Sequence, residues 1–372
     1  MIIDDYTLIK QIGSGQLGKT YLTSKKGLET KYATKVYERR IYSNSFVREL
    51  LLNETTILKE VYHPNIIKLI DLKKSTKFYF LIFEYCNGGT LQDFLEQYQK
   101  KYNKAPSEEI VQYIMRQIIH VIKYLHNKKI VHTNISLDNI MINYEDENDR
   151  INNNIMKAKI KIIGFSLASY LKKGEYLYSI TGGHINLAPI CIFKLNKIPE
   201  YKYSGYDEKL DIWSLGIIFY ELLIGKNPFD ACSMDELLEM IIKGDFYIPI
   251  TISKEAISFL NCMMRYDLKD RLSIDILYNH EFLRKNVNVF TKLEKGDYYV
   301  PITLSKEALS FLNNMLQFEP KDRLNIDILY NHEFLRKKVI DFTKLKFNEK
   351  ISEIKLNIKK SKFLMIYNIL NI

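Results

Sequence analysis

From Tyr6 to Leu22 the chain reads as two strands joined by Ile12-Gly13-Ser14-Gly15-Gln16-Leu17-Gly18. Three glycines at this spacing let the backbone turn tightly and bring its N–H groups to phosphate oxygens that a side chain would obstruct. In doubly wound dinucleotide folds such a turn runs directly into a helix. Here it runs into a second strand, Thr20 to Leu22, and a third follows at Tyr32-Ala33-Thr34-Lys35-Val36. A β-rich start is therefore expected, and the dinucleotide reading is set aside.

The pattern then changes period. Phe46 to Val61 places Leu50, Leu51, Ile57, Leu58 and Val61 at helical core spacing, with Glu54 inside it. His63-Pro64-Asn65-Ile66 ends that helix, because proline restricts the residue before it and cannot continue the ladder. Phe80-Leu81-Ile82-Phe83-Glu84-Tyr85-Cys86-Asn87-Gly88-Gly89 is a buried strand that enters a glycine-relaxed connection. Ser107 is placed to cap a helix whose Ile110, Ile114, Ile118, Ile122 and Leu125 repeat at nearly 3.6 residues. Farther on come His132-Thr133-Asn134-Ile135-Ser136-Leu137-Asp138-Asn139, Ile162-Ile163-Gly164-Phe165-Ser166 and Asp211-Ile212-Trp213-Ser214-Leu215-Gly216.

In this order and at this spacing, the segments resemble the serine/threonine protein kinases over roughly residues 6 to 285. The resemblance implies an α+β, bilobal fold, with a small β-rich lobe over residues 1–85 and a larger helical lobe over 86–293. It implies nucleotide held by Ile12, Gly13, Gly15, Gly18, Ala33, Lys35, Glu84, Cys86 and Met141, with Phe83 at the back of the adenine pocket. Lys35 would hold phosphates and pair with Glu54. Leu58, Leu69, His132 and Phe165 would stack through both lobes onto Asp211.

The departures from the family pattern fall where the chemistry lies. The catalytic aspartate position holds Asn134, a neutral amide that can orient a hydroxyl but has no useful basicity. The second metal-binding position holds Gly164, which has no side chain, so Asn139 stands as a magnesium ligand without its partner. Ser136 replaces the lysine that touches the transferring phosphate, and Thr133 the arginine that reads an activation-loop phosphate. Ala188-Pro189-Ile190 lacks the glutamate that would pair with Arg271, Gly183 replaces a threonine, and the substrate platform reads His184-Ile185-Asn186. The expectation is a catalytically impaired kinase fold that serves as a binding or allosteric scaffold for a protein partner. Lys35 and Glu54 would then serve either a weak, magnesium-independent binding of ATP or simply a structural ion pair with no nucleotide, because functional and structural charge pairs look alike in sequence. The alternative is a weakly active kinase that transfers the ATP γ-phosphate to protein hydroxyls.

Residues 245–293 recur as 297–345, a period of 52, with 14 differences over 49 aligned positions. A repeat array needs at least three copies to bury a continuous core, so this is a duplicated helical segment rather than a solenoid. Connectivity favours the first copy as the end of the helical lobe, directly after a helix from Met234 to Lys243. The second, residues 294–345 with their linker, still has Leu309, Leu312, Met315, Leu316, Ile326 and Leu329 to bury, against the first copy, in its place, or on another molecule. The tail, 346–372, is lysine-rich and then apolar from Phe363 to Leu370, too short a stretch to span a bilayer. Ile351, Ile354 and Ile358 give it an amphipathic helical spacing.

The net charge of +10 is spread over 372 residues without an arginine cluster or aromatic platform, so nucleic acid is not an expected partner. The four cysteines, Cys86, Cys191, Cys232 and Cys262, lack metal or disulfide spacing and are expected to be reduced. No signal or transmembrane segment is read, which fits a cytoplasmic location.

Overall fold

The computed structural model describes residues 1–15, 18–40, 45–171, 207–229, 233–244, 246–265 and 270–284, with positions 189, 205, 231 and 267 and two short strands beyond. The chain divides into two compact units, Met1–Leu283 and Arg284–Ile372.

In the first unit a six-stranded antiparallel sheet has the order β1-β2-β3-β4-β6-β5. Its strands are β1 (Ile2–Ile3), β2 (Tyr6–Ser14), β3 (Lys19–Lys25), β4 (Lys31–Glu38), β5 (Leu69–Lys74) and β6 (Phe78–Glu84). The glycine turn joins β2 to β3, as its flanking alternation predicts, and Gly15 N–H donates to Gly18 O at 2.9 Å. Helix α1 (Ser45–Glu60) crosses between β4 and β5 and buries Val47, Leu51, Ile57 and Leu58.

The chain then enters a helical lobe. Helix α2 (Leu91–Tyr102) starts at a capping box in which Thr90 and Asp93 satisfy each other's backbone N–H groups. Helix α3 (Glu108–Asn127) is capped by Ser107, as its sequence predicts, and buries one long apolar face. After β7 (Ile130–Val131), β8 (Ile140–Asn143) pairs antiparallel with β9 (Lys159–Ile162). The polar stretch between β8 and β9 holds a short helix, α4 (Glu147–Ile151), capped by Asp146. Tyr144 is buried there and exchanges two hydrogen bonds with Asn87.

β10 (Ser169–Tyr170) pairs with β7. Helix α5 (Lys209–Ile224) is apolar on nearly every side and buried almost throughout, as the centre of a helical core must be. Helix α6 (Met234–Lys243) has the predicted bounds, and α7 (Lys254–Met263), α8 (Ile274–Tyr278) and α9 (Glu281–Arg284) follow. These last helices are the first copy of the duplication, and α3 grips them. Glu108 accepts from Ser253 N and Oγ, both at 2.7 Å, Gln112 Nε2 donates to Phe282 O, and Arg116 Nε donates to Leu283 O.

In the second unit the described residues form one hairpin, β11 (Phe290–Lys292) with β12 (Tyr299–Pro301). The rest of the second copy and the tail lie outside the described residues. So do Gly183, His184, Ile185, Asn186, Ala188, Ile190, Cys191 and Cys232. Among the described residues no helix is long and apolar enough to cross a membrane, and Cys86 and Cys262 are free thiols.

Candidate functional site

The upper half of the site is built on β4, where alternation turns Ala33 and Lys35 to the same half-exposed face. Lys35 Nζ meets Glu54 Oε1 at 2.9 Å and lies 5.3 Å from the centre of the Phe83 ring. Glu54 is almost fully buried. Burial opposes the Lys35 ammonium, but the Glu54 carboxylate and Tyr37 outweigh it and hold the pKa above the ordinary lysine range. The Tyr37 hydroxyl, buried beside this pair, is pushed up to about 12.

Ile12 and Gly13 lie among the last residues of β2, toward the turn, where Gly13 pairs with Thr20. Gly18 answers to sterics as well as to any ligand, since a Cβ there would lie 2.3 Å from Val36 O. At the strand exit the Glu84 carboxylate accepts from Lys161 Nζ at 2.7 Å and Lys68 N at 2.8 Å. Cys86 is buried, and burial pushes its thiol up to about 12. Gly88 and Gly89 then bond to Ile142, and Thr90 bridges Met141, which fixes Met141 beneath the connection.

The lower half hangs on Asp211. This fully buried carboxylate accepts from His132 N at 2.9 Å and Thr133 N at 2.8 Å, and from His126 Nε2 at 2.9 Å. The bonds hold Thr133 at φ +65, a left-handed conformation uncommon for a β-branched residue. His132 Nε2 lies 3.0 Å from Ile163 O and its Nδ1 accepts from Asn134 N at 3.3 Å, a set of partners that fits the neutral ring protonated at Nε2. Burial lowers its pKa, against the opposing pull of Asp211. The His132 and Phe165 rings meet edge to face at 4.8 Å, with Leu58 buried and Leu69 packed against the same core. Of the column expected from the sequence, the contacts of His132 with Phe165 and with Asp211 are formed.

Asn139 binds the two degenerate positions together. Its Nδ2 donates to Asn134 O at 3.0 Å, and its backbone O accepts from Ile163 N at 2.9 Å. Gly164 sits at φ +83, where a Cβ would come 2.8 Å from Asn139 Oδ1. The structure therefore gathers Asn134, Asn139 and Gly164 in one corner and Lys35 with Glu54 in another.

Chain geometry and sequence comparison agree on what this arrangement is. Residues 6–283 match the family model described as the protein kinase domain. The chain belongs to the protein kinase family. Among similar curated proteins, the chain resembles serine/threonine-protein kinase 33 of Bos taurus at 33% identity, over 76% of this chain and 55% of that protein. It resembles serine/threonine-protein kinase ULK3 of Xenopus laevis at 27%, over 85% of this chain and 66% of that protein. Probable serine/threonine-protein kinase MARK-A of Dictyostelium discoideum shares 26%, over 88% of this chain and 27% of its own length. The chain thus spans between about a quarter and two thirds of the length of these relatives.

Kinase domains in general use ATP with Mg2+. Of the metal-binding positions that the resemblance names, the corner keeps the amide oxygen of Asn139, a donor type that hard cations accept, and carries no carboxylate at 134 or 164. Among the described residues no cluster of three or more histidine, cysteine, aspartate or glutamate side chains could hold a metal.

Two expectations change. Arg271, read as a buried cation that had lost its partner, donates to Arg265 O at 2.7 Å and Lys209 O at 3.2 Å, and stacks over Trp213. Thr133, read only as a lost arginine, donates its hydroxyl to Leu167 O at 2.8 Å. Sequence reasoning missed Lys161 and Asn53. A lysine in an alternating strand and an asparagine in a helix carry no signal of the acceptors they meet.

Proposed function

We propose that this kinase-family chain is catalytically impaired and acts as a nucleotide-responsive binding scaffold for a protein partner. One observation carries the reading. The corner where a kinase gathers metal and catalytic carboxylates holds Gly164, Asn134 and Asn139, and Asn139 spends its amide on Asn134 O. An amide cannot take the hydroxyl proton, and general-base help is worth about 10²- to 10⁴-fold. Lys35 paired with Glu54 supports retained ATP binding, with Ile12, Gly13, Gly15, Gly18, Ala33, Glu84, Cys86 and Met141 around the base and phosphates.

The second reading, a slow serine/threonine kinase, draws on the assembled Lys35–Glu54 pair and on Phe165 seated against His132. Transfer of labelled γ-phosphate from ATP, in Mg2+ and in Mn2+, decides between them beside a Lys35→Met control. The scaffold reading expects no signal above that control, and a signal abolished by Lys35→Met overturns it. Thermal-shift titration adds the ligand side, with ATP expected to stabilise the chain equally with and without Mg2+.

A further inference from the structure

The 3-10 turn after Gly164, Phe165–Leu167, ends in three consecutive carbonyls, and side chains from both lobes supply them with donors. Phe165 O is used within the turn, accepting from Ala168 N at 3.2 Å. Asn53, next to Glu54 on α1, gives both hydrogens of its carboxamide, to Ser166 O at 3.0 Å and Ala168 O at 2.5 Å. Thr133 Oγ1 takes Leu167 O from below at 2.8 Å, which Ser169 Oγ also reaches at 3.4 Å. Ala168 is 1% exposed, so its carbonyl has little water to turn to if Asn53 withdraws.

The same segment is tied at its far end. Tyr170 OH donates to Glu60 Oε2 at 2.5 Å, so α1 touches it near both its middle and its C-terminus. Leu171 N donates to Lys129 O at 2.8 Å, and β10 pairs with β7. Helix α1 sets where Glu54 stands opposite Lys35, and the turn sets where α1 rests. Every one of these contacts is made by a neutral donor.

We infer that Asn53 and Thr133 are positioning residues of a clamp that holds the turn after Gly164, and with it the Lys35–Glu54 pair, in the assembled arrangement with no metal ion or phosphate group. The assembled cleft is then the resting state of the chain. This goes beyond the function proposed above and stands whether or not the site transfers phosphate.

Hydrogen–deuterium exchange of the full chain, without nucleotide, tests it with Asn53→Leu, which keeps bulk and removes both donors, and Thr133→Val, which replaces the hydroxyl by a methyl. Each is expected to speed exchange about threefold to tenfold in peptides covering 45–60 and 165–171, the loss of one or two net hydrogen bonds, while 108–127 is unchanged. Thr133→Ser is expected to restore the parent rate, and Mg2+ to leave the parent unaltered. Parent-like exchange in both variants, uniform acceleration over the whole chain, or slowing of 165–171 by Mg2+ overturns the clamp. Phosphotransfer does not enter the readout, so activity in the labelled assay would unseat the proposed function and leave the clamp standing.

Discussion

His63 shows how much of the site's behaviour is decided by single side chains. Its Nδ1 accepts from Asn65 N at 3.1 Å, and burial, with His120 and Lys161 nearby, lowers its pKa to about 4. His120 and His132 shift in the same direction. An unfolded histidine titrates near 6.5, so as pH falls the unfolded chain takes up these protons first. Their contribution is full above about pH 6.5 and is lost progressively toward pH 4. Melting temperature measured from pH 7 to pH 4.5 should fall less in His63→Asn, whose carboxamide can accept from the same N–H two residues on without titrating. Equal slopes in parent and variant would count against this. Lys35, Glu54, Gly18 and Asp211 were legible in the sequence because each role demands a residue type at a fixed spacing. Asn53, Thr133 and Arg271 were not, because they bond to backbone carbonyls, which every residue carries alike. Restoring Asn134→Asp with Gly164→Asp inherits a local difficulty. Aspartate tolerates positive φ better than most residues, but its Cβ at 164 requires the Asn139 carboxamide to turn away.

Among the elements, the amphipathic ones followed their pattern. α1, α3 and α6 begin and end where apolar spacing, a capping serine or a proline placed them, because the burial that selects those residues also fixes the helix face. α4 escaped notice, since its helix buries none of its own residues and rests on the Asp146 cap. The decisive contact between elements lies between α3 and the first duplicated segment, where the Glu108 carboxylate accepts twice from Ser253. Ser253 Oγ in turn accepts from Ala256 N as the cap of α7. Glu108→Ala should therefore lower stability by about 1.5–3 kcal/mol, the range for hydrogen bonds to a charged group. Urea unfolding reads the midpoint at an unchanged slope; a loss under a few tenths of a kcal/mol would mean that water replaces Glu108 without cost.

At the scale of the whole molecule the duplication sets the question. The first copy buries Ala256, Phe259, Leu260, Met263, Met264, Arg271, Ile274, Leu277, Phe282 and Leu283. At a distance of 52 the second copy repeats every one of these residues except Met264, which becomes Leu316. The serine that binds Glu108 recurs as Ser305. Deleting residues 245–296 should thus yield a chain that still folds, with a melting temperature within a few degrees of the parent, because Met-to-Leu exchange in a core usually costs under about 1.5 kcal/mol. Failure to fold would show that the other differences between the copies matter. The grip of α3 on one segment, with an equivalent segment in reserve, bears on the heredity of the gene. Unequal recombination or replication slippage between the copies, at whatever point it falls, excises one period in frame and leaves a complete set of gripping partners. If the deleted chain folds as expected, the locus can contract to a single copy without passing through a form that cannot fold.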